Sequence, residues 1–576
     1  MRWQLASVDQ EKVEKLARAL VIPPLFSRLL LLRRMEEPEA ARRFLNPRLD
    51  QLHDPFLMAD MSIAVERLKR AIAQQEKILI YGDYDVDGTM SVVILLAALE
   101  GLGARVDVYI PHRLQDGYGM RVPVVERAAV EGFTVVISVD TGIREHEVVA
   151  KARELGIDCI VTDHHLPKES LPQAYAILNP RRPDCPYPEK NLSGAGVAFK
   201  LAQGLLGGRM SEPLLRSYLK VVAVGTIADV VPLTGENRVI AAFGLEALRR
   251  PVQPGLSALL EMAKLNGRAV TAGDVGFRIA PRLNAAGRLE DARAVIELLR
   301  TTDPARAREI VEHLENLNRE RQSIEESILQ EIDESVKSDP QIGQRYTLVF
   351  AGEEWHRGVL GIVAQRAVER YHRPTLVIGI SDGVAQGSGR SISNFHLLNA
   401  LTASQDLFER FGGHASAAGF SMPSKLVREL EARFENCARS MLSQEQLEPV
   451  LRVDAEMELD QMTWPFYEKL KVLEPFGCGN PTPTFAARNL RLASSPRIVS
   501  GKHLKLRVQK SSKVFEAIGW RKGDQAAALK VGDSLDLAFT LSENSYDGTT
   551  ALQMVIKDIR PATRGLVAGS SDPGAG

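Results

Sequence analysis

The chain has 576 residues, more than a single hydrophobic core usually serves, so two to four domains are expected. Hydrophobic residues make up 45% of the sequence and charged residues 25%, which is typical of a soluble globular protein. The 72 basic and 73 acidic residues nearly cancel, so net charge indicates no partner and any surface for a polyanion has to be local.

The cysteines and the N-terminal sequence indicate a cytoplasmic protein. The four cysteines form no CxxC pair, so neither a zinc site nor a disulfide framework is predicted. The opening sequence MRWQLASVDQEKVEK lacks the continuous apolar segment of a signal peptide. No run of about 18 apolar residues indicates a membrane span. We therefore expect a protein of the reducing cytosol without a membrane anchor.

The first predicted domains are a helical extension and an α/β domain. Residues 1–54 are predicted to form the extension, in which PEAARRFLNP is a short amphipathic helix that ends at Pro47. Over residues 55–302, short apolar runs alternate with helical stretches; the runs are KILIYGD, RVDVYIP, TVVISVD, CIVTDHH and AYAILNP. This alternation predicts a largely parallel sheet that is covered by helices on both faces.

A long helix is predicted over residues 303–338. Asp303 is a good N-cap and Pro304 suits the first helical position. Isoleucines and leucines then recur at steps of three, four or seven residues, which places them on one face of a helix. We interpret this helix as a connector between two domains, although periodicity alone fits a surface helix of one domain equally well.

The remaining sequence predicts two smaller domains and a tail. Residues 339–445 form a second, smaller α/β domain that contains GSGRS and FGGHASAAGF. Residues 446–563 contain short strands at regular spacing, which favours a small barrel of the OB type. Residues 564–576 are rich in Gly and Ser and are predicted to be disordered.

The motif YGDYDVDG places three carboxylates, Asp83, Asp85 and Asp87, in one turn after an apolar strand. Acids this close together repel one another unless a cation lies among them. Carboxylate oxygens suit hard divalent ions such as Mg²⁺ and Mn²⁺. An EF-hand is excluded because its twelfth position, counted from Asp83, is Ile94 rather than Glu. The motif predicts a metal site of another kind.

Three further motifs carry candidate ligands, which we place at strand ends. Asp140 lies in ISVDTGI, His164 and His165 in VTDHHLP, and Asp229 in VGTIADVVPL. The carboxyl ends of parallel strands meet at one edge of a sheet, so we expect these side chains to converge on the acidic turn. Each motif alone is weak, since an aspartate after a strand usually caps the next helix. Together they predict two divalent cations, Mn²⁺ or Mg²⁺, sharing a bridging carboxylate and hydrolysing a phosphoester.

Five residues are candidate phosphate contacts beside these acids. Arg113 follows a strand end, Arg282 and Arg288 flank what we interpret as a small-residue turn, and Ser388 and Arg390 lie in a predicted Gly-rich turn. Guanidinium groups bind phosphates bidentately, and a Gly-rich turn lets backbone N–H groups approach an anion. A surface ion pair is the alternative for each arginine, and the sequence does not decide between Arg282 and Arg288.

Two other features leave alternatives open. His414, after two glycines, is either a substrate-side residue or a satisfied core histidine. Between Lys502 and Lys530, eight basic residues stand against two acidic ones, with Phe515 and Trp520 among them. Basic groups and aromatic faces bind single strands. The lysines favour binding, whereas the two aromatic residues fit a barrel core equally well.

The successive motifs DYDVDG, SVDTGI, TDHHLP and GTIADVVPL resemble those of the DHH phosphoesterases, and GRS with FGGHASAAGF resembles the associated DHHA1 domain. The motifs GAGVAF, PRLNAAGRL, WHRGVLGIVA and GSGRS are similar to the bacterial exonucleases of this family that degrade single-stranded DNA in the 5′→3′ direction. The resemblance covers roughly residues 55–560. It implies a parallel-sheet DHH domain joined by a long helix to a smaller α/β DHHA1 domain, plus a C-terminal OB-like β-barrel.

The resemblance also implies roles for individual residues. The residues that match metal ligands are Asp85, Asp87, Asp140, His164 and Asp229, with Asp140 matching the bridging one and Asp83 an additional acid. His165 matches the histidine that contacts the scissile phosphate, alongside Arg282 or Arg288. Arg113, Ser388, Arg390 and His414 are the implied substrate-binding residues.

The implied function is hydrolysis of single-stranded DNA by two divalent ions, with release of 5′-mononucleotides, in DNA repair and recombination. The implied partners are single-stranded DNA, a single-strand-binding protein and a helicase, and a monomer is expected. One alternative is another DHH activity, an oligonucleotide phosphodiesterase or pyrophosphatase, which has no need of a basic third domain. The other is a non-catalytic scaffold of replication or repair, which the complete set of acids disfavours.

Overall fold

The computed structural model describes residues 1–113, 115–117, 119–546 and 549–562, so the predicted tail at 564–576 lies outside the described residues. The chain divides into two compact units. The first unit consists of Leu52–Val231 and Phe243–Glu448, and the second of Met1–Gln51, Pro232–Ala242 and the segment that begins at Pro449. Within the described residues, no helix combines the length and apolar character that crossing a membrane requires.

The N-terminal segment begins with a strand that the sequence did not indicate. Its elements are β1 (Arg2–Leu5), α1 (Gln10–Leu20), α2 (Pro24–Leu31) and α3 (Pro38–Leu45). The amphipathic helix predicted in PEAARRFLNP is α3, and it starts with Pro38 at its first position.

The predicted parallel sheet is confirmed in the first unit. Its elements are α4 (Met61–Ala73), β2 (Lys77–Tyr81), α5 (Val86–Gly101), β3 (Arg105–Tyr109), α6 (Val122–Val130), β4 (Phe133–Val139), α7 (His146–Glu154), β5 (Asp158–Thr162) and β6 (Ala176–Leu178). The strand order is β3-β2-β4-β5-β6 and every pairing is parallel. The order reverses beside β2, so the crevice for a ligand opens between the carboxyl ends of β2 and β4.

A run of helices follows the sheet: α8 (Gly194–Leu206), α9 (Glu212–Ala228), α10 (Gly235–Leu248), α11 (Pro254–Met262), α12 (Ala272–Asp274), α13 (Ala280–Leu289), α14 (Arg293–Arg300) and α15 (Pro304–Ser338). Two interpretations are wrong here. VGTIADVVPL is the end of the buried helix α9, and Asp229 follows that helix rather than a strand. PRLNAAGRL is the helix α13, so no turn separates Arg282 from Arg288. Short apolar runs do not distinguish a buried helix from a strand, and alanines favour helix.

The predicted connector is the 35-residue helix α15. The Asp303 side chain accepts a hydrogen bond from the backbone N–H of Ala305 at 2.8 Å, which caps the helix as expected. The apolar stripe is buried in part against α11 and α13 and in part against the sheet of the following domain. The helix therefore joins the two α/β domains of the first unit.

The DHHA1-like domain contains β7 (Leu348–Glu353), α16 (Leu360–Tyr371), β8 (Thr375–Ser381), β9 (Val384–Arg390), α17 (Leu397–Thr402), β10 (Arg410–Gly413), β11 (Ala417–Pro423) and α18 (Val427–Met441). The strand order is β10-β11-β9-β8-β7, and only β7 and β8 run parallel. GSGRS is not a turn, because Ser388 and Arg390 lie within β9. Gly387 is needed for packing rather than for a turn, because a Cβ at this position would collide with the Phe420 ring.

The predicted OB-type barrel is confirmed in the second unit. Its elements are β12 (Val450–Val453), β13 (Ala455–Glu456), α19 (Trp464–Lys471), β14 (Phe485–Leu492), β15 (Arg497–Val499), β16 (His503–Lys510), β17 (Lys513–Gly519), β18 (Ser534–Tyr546) and β19 (Thr549–Pro561). Pairing of β14 with both β16 and β18 closes a ring in the order β14-β16-β17-β19-β18. Only β17 and β19 are parallel within this ring. A five-stranded closed barrel of this kind is an OB fold.

The N-terminal segment shares the core of this second unit. Strand β1 pairs in parallel with β12, with Trp3 opposite Leu451. Leu29 and Phe44 from the N-terminal helices belong to the same buried cluster as the barrel residues Phe485 and Phe539. The boundaries predicted for the domains stay a prediction, but the first 51 residues are not an independent extension.

Candidate metal centre and phosphate pocket

The acidic turn after β2 presents its three carboxylates in different directions. Asp83 accepts a hydrogen bond from the Tyr84 backbone N–H at 2.8 Å. Asp85 is the N-cap of α5 and accepts from the Gly88 N–H at 3.0 Å. Asp87 lies in the first turn of α5 and is buried. The first of the three acids thus follows the end of β2, the second caps α5, and the third lies in the first turn of α5.

Asp87 is held by the start of another helix. Its two carboxylate oxygens accept hydrogen bonds from the N–H groups of Gly194 at 2.6 Å and Ala195 at 3.0 Å, the first residues of α8. Free N–H groups at a helix N-terminus favour a negative charge. The motif GAGVAF therefore places and orients one of the predicted ligands.

Asp140 follows β4 in a left-handed backbone conformation, with φ of 58°. A Cβ on Gly194 would lie 2.7 Å from the Cβ of Asp140, so glycine permits the close approach of α8. Non-glycine residues with positive φ are uncommon and concentrate at functional sites, although aspartate tolerates this region better than most. The backbone strain aims the Asp140 carboxylate into the crevice between β2 and β4.

His164 lies within a ring of three buried or half-buried carboxylates. Its Nε2 is 3.2 Å from Oδ1 of Asp140, 3.6 Å from Oδ2 of Asp229 and 3.9 Å from Oδ2 of Asp87. Burial, together with the charge of the neighbouring His165, lowers the pKa of His164 to about 3. The ring is therefore neutral at pH 7, which is the form that binds a metal.

Without a cation, the charged forms of these carboxylates repel one another strongly. Burial and the charge of Asp85 raise the pKa of Asp83 to about 8 and that of Asp87 to about 7. Burial and the charges of neighbouring aspartates raise the pKa of Asp140 and Asp229 well above the usual value. So many buried acids are stable together only when protonated or when cations neutralise them.

The donor atoms fit divalent cations. Oδ1 of Asp140 and Nε2 of His164 are buried, and neither completes a well-directed hydrogen bond within the described residues. All seven predicted side chains fall into three overlapping groups, in each of which the donor atoms lie within 4.8 Å of one another: Asp83, Asp85 and Asp140; Asp87, His164 and Asp229; Asp140, His164 and His165. Mixed carboxylate and imidazole donors suit Mn²⁺ or Mg²⁺, and the sharing of Asp140 fits two ions.

Asp163 orients His165, a contact that the sequence reasoning missed although this aspartate opens the TDHH motif. Oδ1 of Asp163 lies 2.7 Å from Nδ1 of His165, and the same carboxylate accepts from the backbone N–H groups of His164 and Ile143. Although burial opposes it, the charge and hydrogen bond of Asp163 raise the pKa of His165. The side chain of His165 is 40% exposed, so it is both oriented and reachable.

The structure places Arg288, and not Arg282, beside the acidic turn. Gly287 packs directly against the Tyr84 carbonyl, and Nη1 of Arg288 donates to the Gly358 carbonyl at 3.0 Å. Burial and the nearby charge of Arg113 lower the pKa of Arg288 to about 10, so it remains charged at pH 7. Arg282 instead points to the long helix, where its Nε lies 2.7 Å from Oε2 of Glu315.

Arg113 lies over the ring face of Tyr84, with its guanidinium carbon 5.0 Å from the ring centroid. This cation–π contact orients the guanidinium beside the acidic turn. The expectation that Arg113 follows a strand end is confirmed, since β3 ends four residues earlier at Tyr109.

Ser388 and Arg390 meet the N-terminus of α16. Nη1 of Arg390 lies 3.2 Å from Oγ of Ser388. A Cβ on Gly361, the second residue of α16, would lie 2.9 Å from Nη2 of Arg390 and 3.1 Å from Oγ of Ser388. A guanidinium, a hydroxyl and a helix N-terminus together form an anion pocket.

His414 faces the same cleft. Its backbone N–H donates to the Ala417 carbonyl at 2.8 Å, and its Nδ1 accepts from the Ser416 N–H at 3.3 Å. Burial lowers the pKa of His414, and the positive charges of Arg390, Arg144 and His165 add to this effect. His414 is exposed, so the structure rules out a core histidine.

The structure separates the two aromatic residues of the basic barrel segment. Phe515 packs against the barrel core. Trp520 is 54% exposed, and its ring lies edge-on to His503 with centroids 4.8 Å apart. The core alternative is thus confirmed for Phe515 and wrong for Trp520, whose role in binding stays a prediction.

Three family models match separate parts of the chain: the N-terminal domain of the DHH family over residues 77–226, the DHHA1 domain over 343–440 and the RecJ OB domain over 453–558. Among curated proteins, the single-stranded-DNA-specific exonuclease RecJ of Bacillus subtilis is 39% identical over 97% of this chain and 70% of the relative. The RecJ exonuclease of Escherichia coli is 34% identical over 97% of this chain and all of the relative.

Solved structures agree with these matches. The crystal structure of RecJ from Thermus thermophilus in complex with Mn²⁺ superposes with a TM-score of 0.84 at 31% identity and covers 99% of this chain and 81% of that one. The corresponding complex with Mg²⁺ has a TM-score of 0.77 at 30% identity, covering 99% of this chain and 80% of that one. The similarity therefore extends from the metal-binding domain through the barrel.

Proposed function

Because this chain belongs to the RecJ family of single-stranded-DNA-specific exonucleases, we propose that it hydrolyses single-stranded DNA in the 5′→3′ direction and releases 5′-mononucleotides. The observation that carries the proposal is that contacts within one compact unit link the Ser388–Arg390 pocket to the acidic cluster, because Arg288 at the acidic turn donates to Gly358, just before α16, whose N-terminus borders the pocket. A cluster for divalent cations explains hydrolysis of a phosphodiester, and an anion pocket beside it explains why hydrolysis begins at an end.

The proposed chemistry divides among the residues as follows. The acids and His164 hold two divalent cations, which when bound activate water and stabilise the leaving oxygen. His165, oriented by Asp163, and Arg288 contact the scissile phosphate and offset its growing negative charge. These two groups reach the phosphate from the β5 end and from α13, respectively.

The pocket beside the metal centre suits a terminal phosphate. Arg113, Arg390 and Ser388 supply two guanidinium groups and one hydroxyl, and the N-terminus of α16 adds backbone N–H groups. A terminal phosphate carries more negative charge than an internal diester, so it gains more from this pocket. Neutral His414 borders the pocket and is proposed to contact the first nucleotide.

The alternatives account for less of the molecule. A pyrophosphatase or a small-oligonucleotide phosphodiesterase does not need a barrel in which the exposed Trp520 is followed by Arg521 and Lys522. A non-catalytic scaffold does not need seven side chains that converge as metal ligands, nor buried carboxyl groups whose pKa values are raised. We further propose that the protein acts as a monomer in the cytoplasm during DNA repair and recombination. A single-strand-specific enzyme there depends on a helicase to unwind duplexes and meets single-strand-binding protein on its substrate.

The activity is tested by incubating the purified protein and Mn²⁺ with a 5′-labelled single strand and with the same strand in a blunt duplex. We expect the label to appear at once as a mononucleotide from the single strand, and the duplex to persist. Pyrophosphate hydrolysis with intact DNA would support the pyrophosphatase alternative, and no hydrolysis of any phosphate substrate would support the scaffold.

Replacing Trp520 by alanine is expected to weaken the binding of a long single strand by about 5- to 100-fold, because stacking on one base contributes about 1–3 kcal/mol. The salt dependence of binding should stay unchanged, since tryptophan carries no charge. A fluorescence titration at several salt concentrations measures both. A point substitution is preferable to deleting the barrel, because the N-terminal helices share the barrel core.

The matched control is Trp464→Ala, which removes a 39% exposed tryptophan on α19 in the same unit. We expect this variant to bind DNA with wild-type affinity. Equal affinities of the Trp520→Ala variant and the wild type would remove Trp520 from the DNA-binding surface.

A further inference from the structure

Arg181 lies at the same edge of the parallel sheet as the metal centre, three residues after β6 ends at Leu178. It was not among the residues that the motifs indicated. The Asn179 side chain connects it to the site, because Oδ1 accepts from the Arg181 backbone N–H at 2.8 Å and Nδ2 donates to the His165 carbonyl at 2.9 Å. Any shift of Arg181 is therefore coupled to the histidine proposed to contact the scissile phosphate.

The Arg181 guanidinium is positioned by neutral groups alone. Its Nε donates to the Lys190 carbonyl at 3.2 Å and its Nη2 donates to Oδ1 of Asn191 at 3.3 Å. Within the described residues, no carboxylate forms an ion pair with it. An arginine that is oriented but not neutralised is ready to bind an anion.

The loop that positions this guanidinium leads directly to the metal ligands. Three residues after Asn191 comes Gly194, whose N–H donates to Asp87 and which packs against Asp140. Asn179 holds Arg181 next to the segment that carries His164 and His165, and Nε2 of His164 lies 3.6 Å from Oδ2 of Asp229. The positive charge thus lies on the Asp229 and His164 side of the metal centre.

The other site arginines lie around the acidic turn after β2 and the N-terminus of α16. Arg113 stacks on Tyr84, between Asp83 and Asp85, and α13 brings Arg288 against the same turn. Through Gly358, this side continues to α16 and to the pocket at Arg390. We expect a strand with its terminal phosphate in that pocket and its first diester at the metal centre to continue past Asp229 and His164.

We propose that Arg181 binds the phosphate of the second linkage, the next one 3′ of the scissile phosphate, where it holds the departing strand. The inference rests on the proposed exonuclease function. With Arg390 holding the terminal phosphate and Arg181 holding the strand beyond the scissile phosphate, the first diester stays at the metal centre. A strand held on both sides of the scissile bond is positioned for attack at that bond only.

The test combines a variant with a modified substrate. A 5′-phosphorylated trinucleotide carries a normal first linkage and, as the second linkage, either a phosphodiester or an uncharged methylphosphonate. The variant Arg181→Gln retains a donor for the Lys190 carbonyl but loses the charge. Release of the first nucleotide is followed for both proteins on both substrates at limiting substrate concentration.

We expect the methylphosphonate to slow the wild-type enzyme by about 10- to 100-fold, the usual range for one charge-assisted contact. Arg181→Gln should be slowed to the same extent on the normal trinucleotide and show little further loss with the methylphosphonate. Arg181→Lys should recover part of the rate. Independent, multiplicative losses in the variant would overturn the proposal, as would a wild-type enzyme indifferent to the methylphosphonate.

The control variant is Arg153→Gln, which removes an exposed arginine that donates to Oε1 of Gln173 and lies at the C-terminal end of α7. It should behave as the wild type on both substrates. Failure of the wild type to release a nucleotide from either trinucleotide would instead contradict the proposed function. A merely structural role for Arg181 predicts equal slowing on both substrates by Arg181→Gln, which also overturns the proposal.

Discussion

Replacing Asp140 by asparagine is expected to lower the rate of hydrolysis by roughly a thousandfold or more, since residues that merely support a metal ligand already contribute roughly 10- to 100-fold. Asp140 belongs both to the group with Asp83 and Asp85 and to the group with His164 and His165. Its replacement is therefore expected to weaken the binding of both cations. Asparagine tolerates the positive φ at this position, and the fold should therefore persist. Single-strand affinity should also persist, because the basic barrel surface is unchanged. Digestion rates and a binding titration in the same buffer measure both.

The same variant is expected to stabilise the metal-free protein, which makes stability and activity change in opposite directions. A carboxyl whose folded pKa lies above its unfolded value costs stability once the pH exceeds the unfolded value. The cost grows until the pH passes the folded pKa. Burial and the charges of neighbouring aspartates raise the pKa of Asp140 well above the usual 3.8, so its cost begins above pH 3.8 and grows as the pH rises. At pH 8 with EDTA, Asp140→Asn should melt a few degrees above the wild type, at about 2–4 °C for each kcal/mol.

Asp107→Asn provides the control, because Asp107 is exposed on the edge strand β3. It should leave both the rate and the melting temperature unchanged. Hydrolysis by Asp140→Asn at a rate near that of the wild type would show that the two-cation assignment is wrong. A lower melting temperature in EDTA would show that the carboxylate cluster is not under the electrostatic stress inferred here.

Replacing Arg390 by alanine is expected to remove most of the preference for a 5′-phosphate. In the wild type we expect a strand with a 5′-phosphate to be digested faster than the same strand with a 5′-hydroxyl. A charge-assisted hydrogen bond contributes roughly 1.5–3 kcal/mol, so the lost preference should be on the order of ten- to a hundredfold. Arg390 is half-buried beside Ser388 and α16, which favours the upper part of this range. Timed digestion of the two strands by both proteins gives the ratio directly.

The metal centre serves as the internal reference for this experiment. The 5′-hydroxyl strand should be digested at similar rates by both proteins, because Arg390 does not belong to the cation cluster. Arg428→Ala, which removes an exposed arginine from α18 of the same domain, should keep the wild-type preference. An unchanged preference in Arg390→Ala would remove this residue from the pocket. Faster attack from the 3′ end in the wild type would contradict the polarity itself.

The chemical identity of the site could be predicted from the sequence, because it depends on local patterns. An apolar run followed by an acid marks the end of a parallel strand, and the strand ends of one sheet meet at one edge. This reasoning placed Asp83, Asp140 and His164 together without the structure. The capped helix α15 is also local, since its N-cap and apolar spacing lie in one continuous stretch.

Only the tertiary structure decided which residues complete the site. Asp229 reaches the cluster from the end of a buried helix, and the periodicity of a short apolar run is the same for helix and strand. Arg288 rather than Arg282 faces the acidic turn because Gly287 packs on Tyr84. Arg181, proposed above to hold the departing strand, is connected to His165 through the Asn179 side chain. Local sequence determines which chemistry a residue can perform, whereas contacts between distant segments, which no local pattern records, determine where it performs it.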